Sequence, residues 1–190
     1  MSAKLAIDDR MTVEEFLAMV ETRPDGEHWE LIEGVAIMNP SPIDWQQFIV
    51  GNIVAALLAA KNARDASWSP MIGISTRVPI SPGSLPRPDV FVKEGAMTGA
   101  HTTDDALILF EVLSRSNKRG DRAWRKRVYS SIPNCQHYIT VSTEDAEAVR
   151  YDRADKWTGV EMHGLAATLQ LPTIDVSIPL REIYKWTPIE

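Results

Sequence analysis

The stretch ALILFEVL, residues 106–113, is a nearly continuous apolar run of strand length. Such a run is expected where a β-strand is buried on both faces, and it predicts the central strand of a sheet. One residue breaks the pattern. A carboxylate at Glu111 is costly to bury by several kcal/mol unless it is paired, hydrogen-bonded, protonated or bound to a metal. Two readings of Glu111 stand: it closes the strand's end against a nearby arginine, or it does chemistry.

Upstream, the prolines at 86 and 88 bracket the entry to a second short strand, Asp89 to Val92. Proline fixes the backbone just before Asp89. If the two strands are neighbours, Asp89 and Glu111 lie within several ångströms, because paired strands are about 4.8 Å apart. Two acids that close repel unless a cation sits between them, and oxygen ligands with room for water and phosphate suit Mg²⁺ better than zinc. The alternative is that Asp89 only caps the turn after the proline-rich entry.

Downstream, residues 115–127 carry Arg115, Lys118, Arg119, Arg122, Arg125, Lys126 and Arg127 against the single acid Asp121, a net of +6. The whole chain has a net charge of −6, so the remainder carries −12. The run reads as a helix with Arg122, Arg125 and Lys126 on one face and Trp124, Val128 and Ile132 anchoring the other, closed by Pro133. A solvated basic face is the ordinary reading. Its place beside two candidate metal ligands points to phosphate contact instead.

The rest of the chain supplies the frame. Thr12 and Glu15 form a capping-box pattern ahead of a short helix with Val13, Phe16, Leu17 and Val20 on one side, ending before Pro24. WELIEGVAIM, residues 29–38, reads as a hairpin around Glu33-Gly34. Asp44 is placed to cap a long helix running to about Asn62, with Phe48, Ile49, Ile53, Leu57 and Ala60 on its buried side. Residues 67–81 alternate as β-structure through Ile72, Ile74, Thr76 and Val78. After the basic helix, further strands fall at 136–142, 148–151, 157–162, 168–171 and 174–178, with a last helical turn at 180–186. This order predicts a mixed α+β or α/β fold as a single domain over residues 1–190.

With 190 residues, 44% of them hydrophobic, and six tryptophans, the chain is too apolar for intrinsic disorder. Its only cysteine, Cys135, excludes an internal disulfide and a cysteine-ligated metal cluster within one chain. The N-terminal residues have no signal-peptide core, and no apolar run is long enough to span a bilayer, so the expectation is a cytoplasmic protein without membrane contact. Net acidity argues against broad non-specific coating of nucleic acid. It does not argue against a local phosphate site at the +6 segment.

Taken together, "RPDVFV" around Asp89, "FEVLSRSNKRGDRAWRKRVYSSIPNCQHYITV" around Glu111 and "WELIEGVAIMNPSP" around Glu30 closely resemble the Uma-two family of putative restriction endonucleases, in the PD-(D/E)XK nuclease-like superfamily. The resemblance covers about Thr12 to Trp186. It implies a restriction-endonuclease-like core, a central mixed β-sheet flanked by helices, and an endonuclease that hydrolyses DNA phosphodiester bonds with Mg²⁺, Mn²⁺ being the alternative ion. Asp89 matches the aspartate of the PD motif, Glu111 the acid of the (D/E)XK motif, and Glu30 the family's N-terminal acid. Asp89 and Glu111 would hold the metal, Lys118, Arg119 and Arg122 would bind the DNA backbone, and a homodimer would act on both strands.

The chain departs from the family at the lysine. Two residues after Glu111 stands Leu113; the family's lysine comes from the following helix, and the matching position here is Arg125, with Lys126 next to it. Arginine stays protonated, so Arg125 suits electrostatic stabilisation of the transition state and not proton abstraction. For the latter, Lys126 would have to turn inward from about 100° around the helix. Gln46-Gln47 stand where the family often carries a histidine before its glutamine. These departures keep open a second reading, a catalytically degenerate member that serves as a binding or assembly module. Ser114, placed to orient Glu111 or cap the loop, and Tyr129, one turn beyond Arg125, complete the candidates near the site. His28, His101, His137 and His163 have no ligand spacing.

Overall fold

The computed structural model describes residues 5–7, 9–114 and 119–189, with the backbone alone at positions 5 and 119. A short strand β1 (Leu5–Ile7), which no sequence signal marked, precedes helix α1 (Val13–Glu21). The capping box is formed: Thr12 Oγ1 accepts from Glu15 N at 3.2 Å, and Glu15 Oε2 accepts from Thr12 N at 2.7 Å. The hairpin pairs β2 (His28–Ile32) with β3 (Val35–Asn39) through Glu33 and Gly34, both at positive φ (52° and 84°). That geometry is the two-residue turn whose twist matches the strands. Together β1, β3 and β2 make a three-stranded antiparallel sheet.

Helix α2 (Asp44–Arg64) departs from expectation at both its cap and its buried face. Ile43 occupies the cap position without a side-chain cap, and Asp44 is the first helical residue, its Oδ1 accepting from Trp45 N at 2.8 Å. The buried residues are Ile49, Val50, Ile53 and Leu57, whereas Phe48 is 49% exposed. The apolar stripe thus contains Val50 rather than Phe48, so the helix is rotated from the face its alternation implied.

Residues 67–81 form no single strand. Strand β4 (Ser69–Ile72) stops at Gly73, where φ is +61° and the chain passes against the Arg87 guanidinium; a Cβ there would meet Arg87 Nη2 at 2.8 Å. The two-residue strand β5 (Ser75–Thr76) follows, and after the proline-rich loop come β6 (Val90–Lys93), β7 (Thr102–Thr103) and β8 (Ile108–Leu113). Helix α3 (Arg119–Tyr129) ends four residues before Pro133, the intervening chain forming turns. The remaining strands are β9 (His137–Ser142), β10 (Glu147–Asp152), β11 (Gly159–His163), β12 (Thr168–Leu171) and β13 (Val176–Pro179), followed by the single-turn helix α4 (Leu180–Ile183), shorter than expected.

The main sheet has six strands in the order β11–β10–β9–β8–β6–β4. The pair β8–β9 is parallel and the other pairs are antiparallel, so the sheet is mixed, and β8 lies inside it with all six residues buried. Alternation then divides the strand between two layers. Ile108, Phe110 and Val112 pack with Ile49, Ile53 and Leu57 of α2, while Leu109 packs with Val128, Tyr129 and Ile132 on the α3 side. Glu111 shares the parity of Leu109 and therefore faces α3.

Candidate functional site

The ladder between β6 and β8 pairs Val90 with Phe110. Continued by one residue, this register sets Asp89 level with Glu111 on the same face, just beyond the end of β6. Asp89 is held there by its Oδ2, which accepts from Val112 N at 2.7 Å. Glu111 lies within β8 and not at its end, only 6% exposed. Its Oε1 accepts from Arg125 Nη1 at 2.9 Å and from Tyr129 Oη at 2.8 Å.

Glu30 arrives from a different sheet. The hairpin docks on the loop before Asp89 through an antiparallel bridge between Leu31 and Leu85, with Gly34 N donating to Gly83 O at 2.9 Å. Alternation along β2 turns Glu30 inward, where its Oε1 accepts from Arg87 N at 2.6 Å and its Oε2 from Asn39 Nδ2 at 2.6 Å. Arg125 Nη2 donates to both oxygens, at 3.0 and 2.7 Å. Three acids, from β2, from β8 and from the residue just before β6, thus converge on the inner face of α3.

Arg125 is only 6% exposed, so it does not share an outer face with Arg122 and Lys126, as its spacing implied, but joins this buried cluster. One turn on, Tyr129 Oη accepts from Arg125 Nη1 at 3.1 Å. Lys126 points elsewhere: its Nζ stands 4.8 Å from the centroid of the Tyr151 ring, over β10. Arg122 is exposed on α3. Arg115 and Lys118 lie outside the described residues, as does the side chain of Arg119. Asn39, Arg87 and Gln46, whose Nε2 donates to Val112 O at 3.1 Å, are supports that residue spacing did not mark.

One guanidinium cannot neutralise three carboxylates, and the geometry decides which it serves. Although burial opposes its ionisation, Glu30 has two guanidinium contacts, an amide and a backbone N–H, and its carboxyl is held below the usual range. Burial pushes Glu111 up to about 8 against the pull of Arg125, with Asp89 and Glu30 as like-charged neighbours adding to the rise. Burial likewise raises Asp89 to about 6, despite the Val112 N–H and the field of Arg125. The Asp89–Glu111 pair is therefore short of positive charge.

That shortage fits a hard divalent cation. Asp89 Oδ2 accepts from Val112 N, and Glu111 Oε1 from Arg125 Nη1 and Tyr129 Oη, which fixes the two carboxylates side by side. Among the described residues no group of three or more His, Cys, Asp or Glu is arranged to hold a metal ion. Two carboxylates completed by water and phosphate are what Mg²⁺ accepts.

A model of the family described as "Uma2: Putative restriction endonuclease" matches residues 13–181. No curated protein matches the chain. A solved structure from Anabaena variabilis, described as a putative nuclease belonging to DUF820, is 14% identical with a TM-score of 0.73, covering 93% of this chain and 98% of its own. The architecture shared with it is the restriction-endonuclease-like fold.

Proposed function

The chain belongs to the Uma2 family of putative restriction endonucleases, and from that premise we propose that it hydrolyses DNA phosphodiester bonds at the Asp89–Glu111 site beside α3. The observation that carries the reading is the acid pair Asp89–Glu111, set level by the β6–β8 register, with Glu111 buried and Asp89 half-buried beside an Arg125 guanidinium bonded to both Glu30 and Glu111.

Asp89 and Glu111 would hold Mg²⁺, or Mn²⁺ in its place. When bound, the ion would lower the pKa of a water and neutralise charge on the scissile phosphate. The chain's own residues do the rest. Tyr129 and Arg125 fix the Glu111 carboxylate, and the Val112 N–H fixes that of Asp89. Glu30 positions the Arg125 guanidinium, which stays charged and stabilises the pentavalent phosphate electrostatically. Arg122, with Lys118 and Arg119, would engage flanking phosphates, and a homodimer would present one site to each strand.

Supercoiled plasmid incubated with the protein and Mg²⁺ or Mn²⁺ tests this. Nicking is expected from the wild type and a loss of at least about a hundredfold from Asp89→Ala and Glu111→Ala. Nicking that persists equally in both variants overturns the site. One observation favours the second reading, a degenerate binding or assembly module: Arg125 is already paired with Glu30 and Glu111 in a buried cluster. Absence of nicking with either ion would select that reading.

A further inference from the structure

Next to the acid pair, on its β9 side, lies a cleft of about 600 Å³ between α3 and the strands β9 to β11. Its floor follows from strand register. Glu111 pairs with Thr140, Thr140 with Val149, and Val149 with Glu161, so one cross-strand row runs from the acid pair into the cleft. The row beside it runs Leu109, Tyr138, Tyr151, Gly159. Tyr151 lies over Gly159, where a Cβ would meet its ring at 2.9 Å; only glycine leaves that space. Three tyrosines then lead outward from Glu111: Tyr129 is 5.5 Å from Tyr138, and Tyr138 lies nearly parallel to Tyr151 at 5.8 Å.

Two features of this cleft are not explained by folding. Tyr138 lines it and is only 1% exposed, yet its hydroxyl is buried without a hydrogen-bond partner among the described residues. An unpaired buried hydroxyl is costly and marks an absent partner. The second is charge: among the described lining residues, Glu144, Glu147 and Glu161 outnumber Arg122 and Lys126. Glu147 and Glu161 supply acceptors for amino groups, and Tyr138 and Tyr151 supply aromatic surface for a planar ring.

We infer that the cleft receives an unpaired, amino-bearing nucleobase of the nucleotide next to the scissile phosphate, so that the substrate class is DNA single-stranded or locally unpaired at the cut. This rests on the nuclease reading and specifies its substrate. With the phosphate at Asp89 and Glu111, the neighbouring base needs to cross only one strand spacing, about 4.8 Å, to reach Thr140. Tyr138 Oη would then donate to or accept from the base edge, and Tyr151 would border its face.

The test is binding by the full chain, in Ca²⁺ to prevent cleavage, of a fluorescent mixed-sequence single-stranded oligonucleotide and of the same sequence as a blunt duplex. The wild type should prefer the single strand at least about tenfold, since no unstacking is needed. Tyr138→Phe should weaken the single strand about tenfold while leaving thermal stability unchanged or raised, because it removes a hydroxyl with no partner. Ala123→Trp, on the exposed side of α3 and filling the cleft, should abolish the preference without weakening the duplex. Equal affinity of the wild type for the two forms, or variants that keep its preference, overturns the inference. Duplex nicking without single-strand preference would sink the inference alone, whereas a wild type that neither binds nor nicks DNA would sink the nuclease reading and this inference with it.

Discussion

At the scale of the residue, the site is governed by the competition of three acids for one guanidinium. Arg125 gives Nη2 to Glu30 and shares Nη1 between Glu111 and Tyr129, so Glu30 stays charged and Glu111 carries the deficit. The deficit has a stability signature. With Glu111 at about 8 when folded, against 4.5 as its ordinary value, the neutral acid is favoured by folding. This stability is full below about pH 4.5 and is lost as pH rises through 8. In chelator, Glu111→Gln is therefore expected to match wild type near pH 4.5 and to exceed it above pH 8 by on the order of 2–4 kcal/mol. Urea unfolding at the two pH values measures this. A constant difference between variant and wild type would contradict the origin assigned to the shift. Asp89, raised to about 6, adds to the wild type's loss in the same direction over a lower window.

At the scale of the element, the hairpin β2–β3 and the loop before Asp89 form one support. The turn at Glu33-Gly34 fixes the hairpin's register, register turns Glu30 inward, and the Leu31–Leu85 bridge sets it against Arg87. Gly34 sits at φ +84° with Arg10 Cβ and Met11 O no closer than 3.5 Å to an added Cβ. The position is thus roomy but conformationally demanding. Gly34→Ala should cost about 1–2 kcal/mol in urea unfolding, from backbone strain and not from a clash. An unchanged midpoint would mean that the turn relaxes freely. Helix α3 performs a double task, with Arg125, Val128 and Tyr129 facing inward and Arg122 outward. That division explains how a segment of net charge +6 can be packed against an apolar sheet.

At the scale of the whole molecule, charge is divided by region. Residues 115–127 carry +6 inside a chain of −6, and one of their seven cations, Arg125, is spent on buried acids. The contact with nucleic acid should therefore be small. Duplex binding measured between about 50 and 200 mM salt should give a log–log slope of roughly −3 to −5, as expected for three to five phosphates. A slope near −10 would require a basic surface beyond this segment. No helix among the described residues is long and apolar enough to cross a membrane.

The sequence by itself determined the local facts. The apolar run at 106–113 contains an inner strand, Ile108–Leu113, buried throughout, the Thr12–Glu15 box caps a helix, and Glu33-Gly34 turns a hairpin. Each of these is encoded in periodicity, turn chemistry or spacing within a few residues. Its misreadings lie where competing faces were nearly equivalent: Phe48 against Val50 on α2, and the grouping of Arg125 with Arg122 and Lys126 on one face of α3. Only the tertiary structure decided that Arg125 turns inward, that Glu30 reaches it from 95 residues away, that Asp89 comes level with Glu111, and that the Tyr138 hydroxyl finds no partner among the described residues. The physical reason is that periodicity records what a residue's own element must bury. Which charge neutralises which depends on distance and burial between elements, and these exist only once the hairpin, the sheet and α3 have packed together.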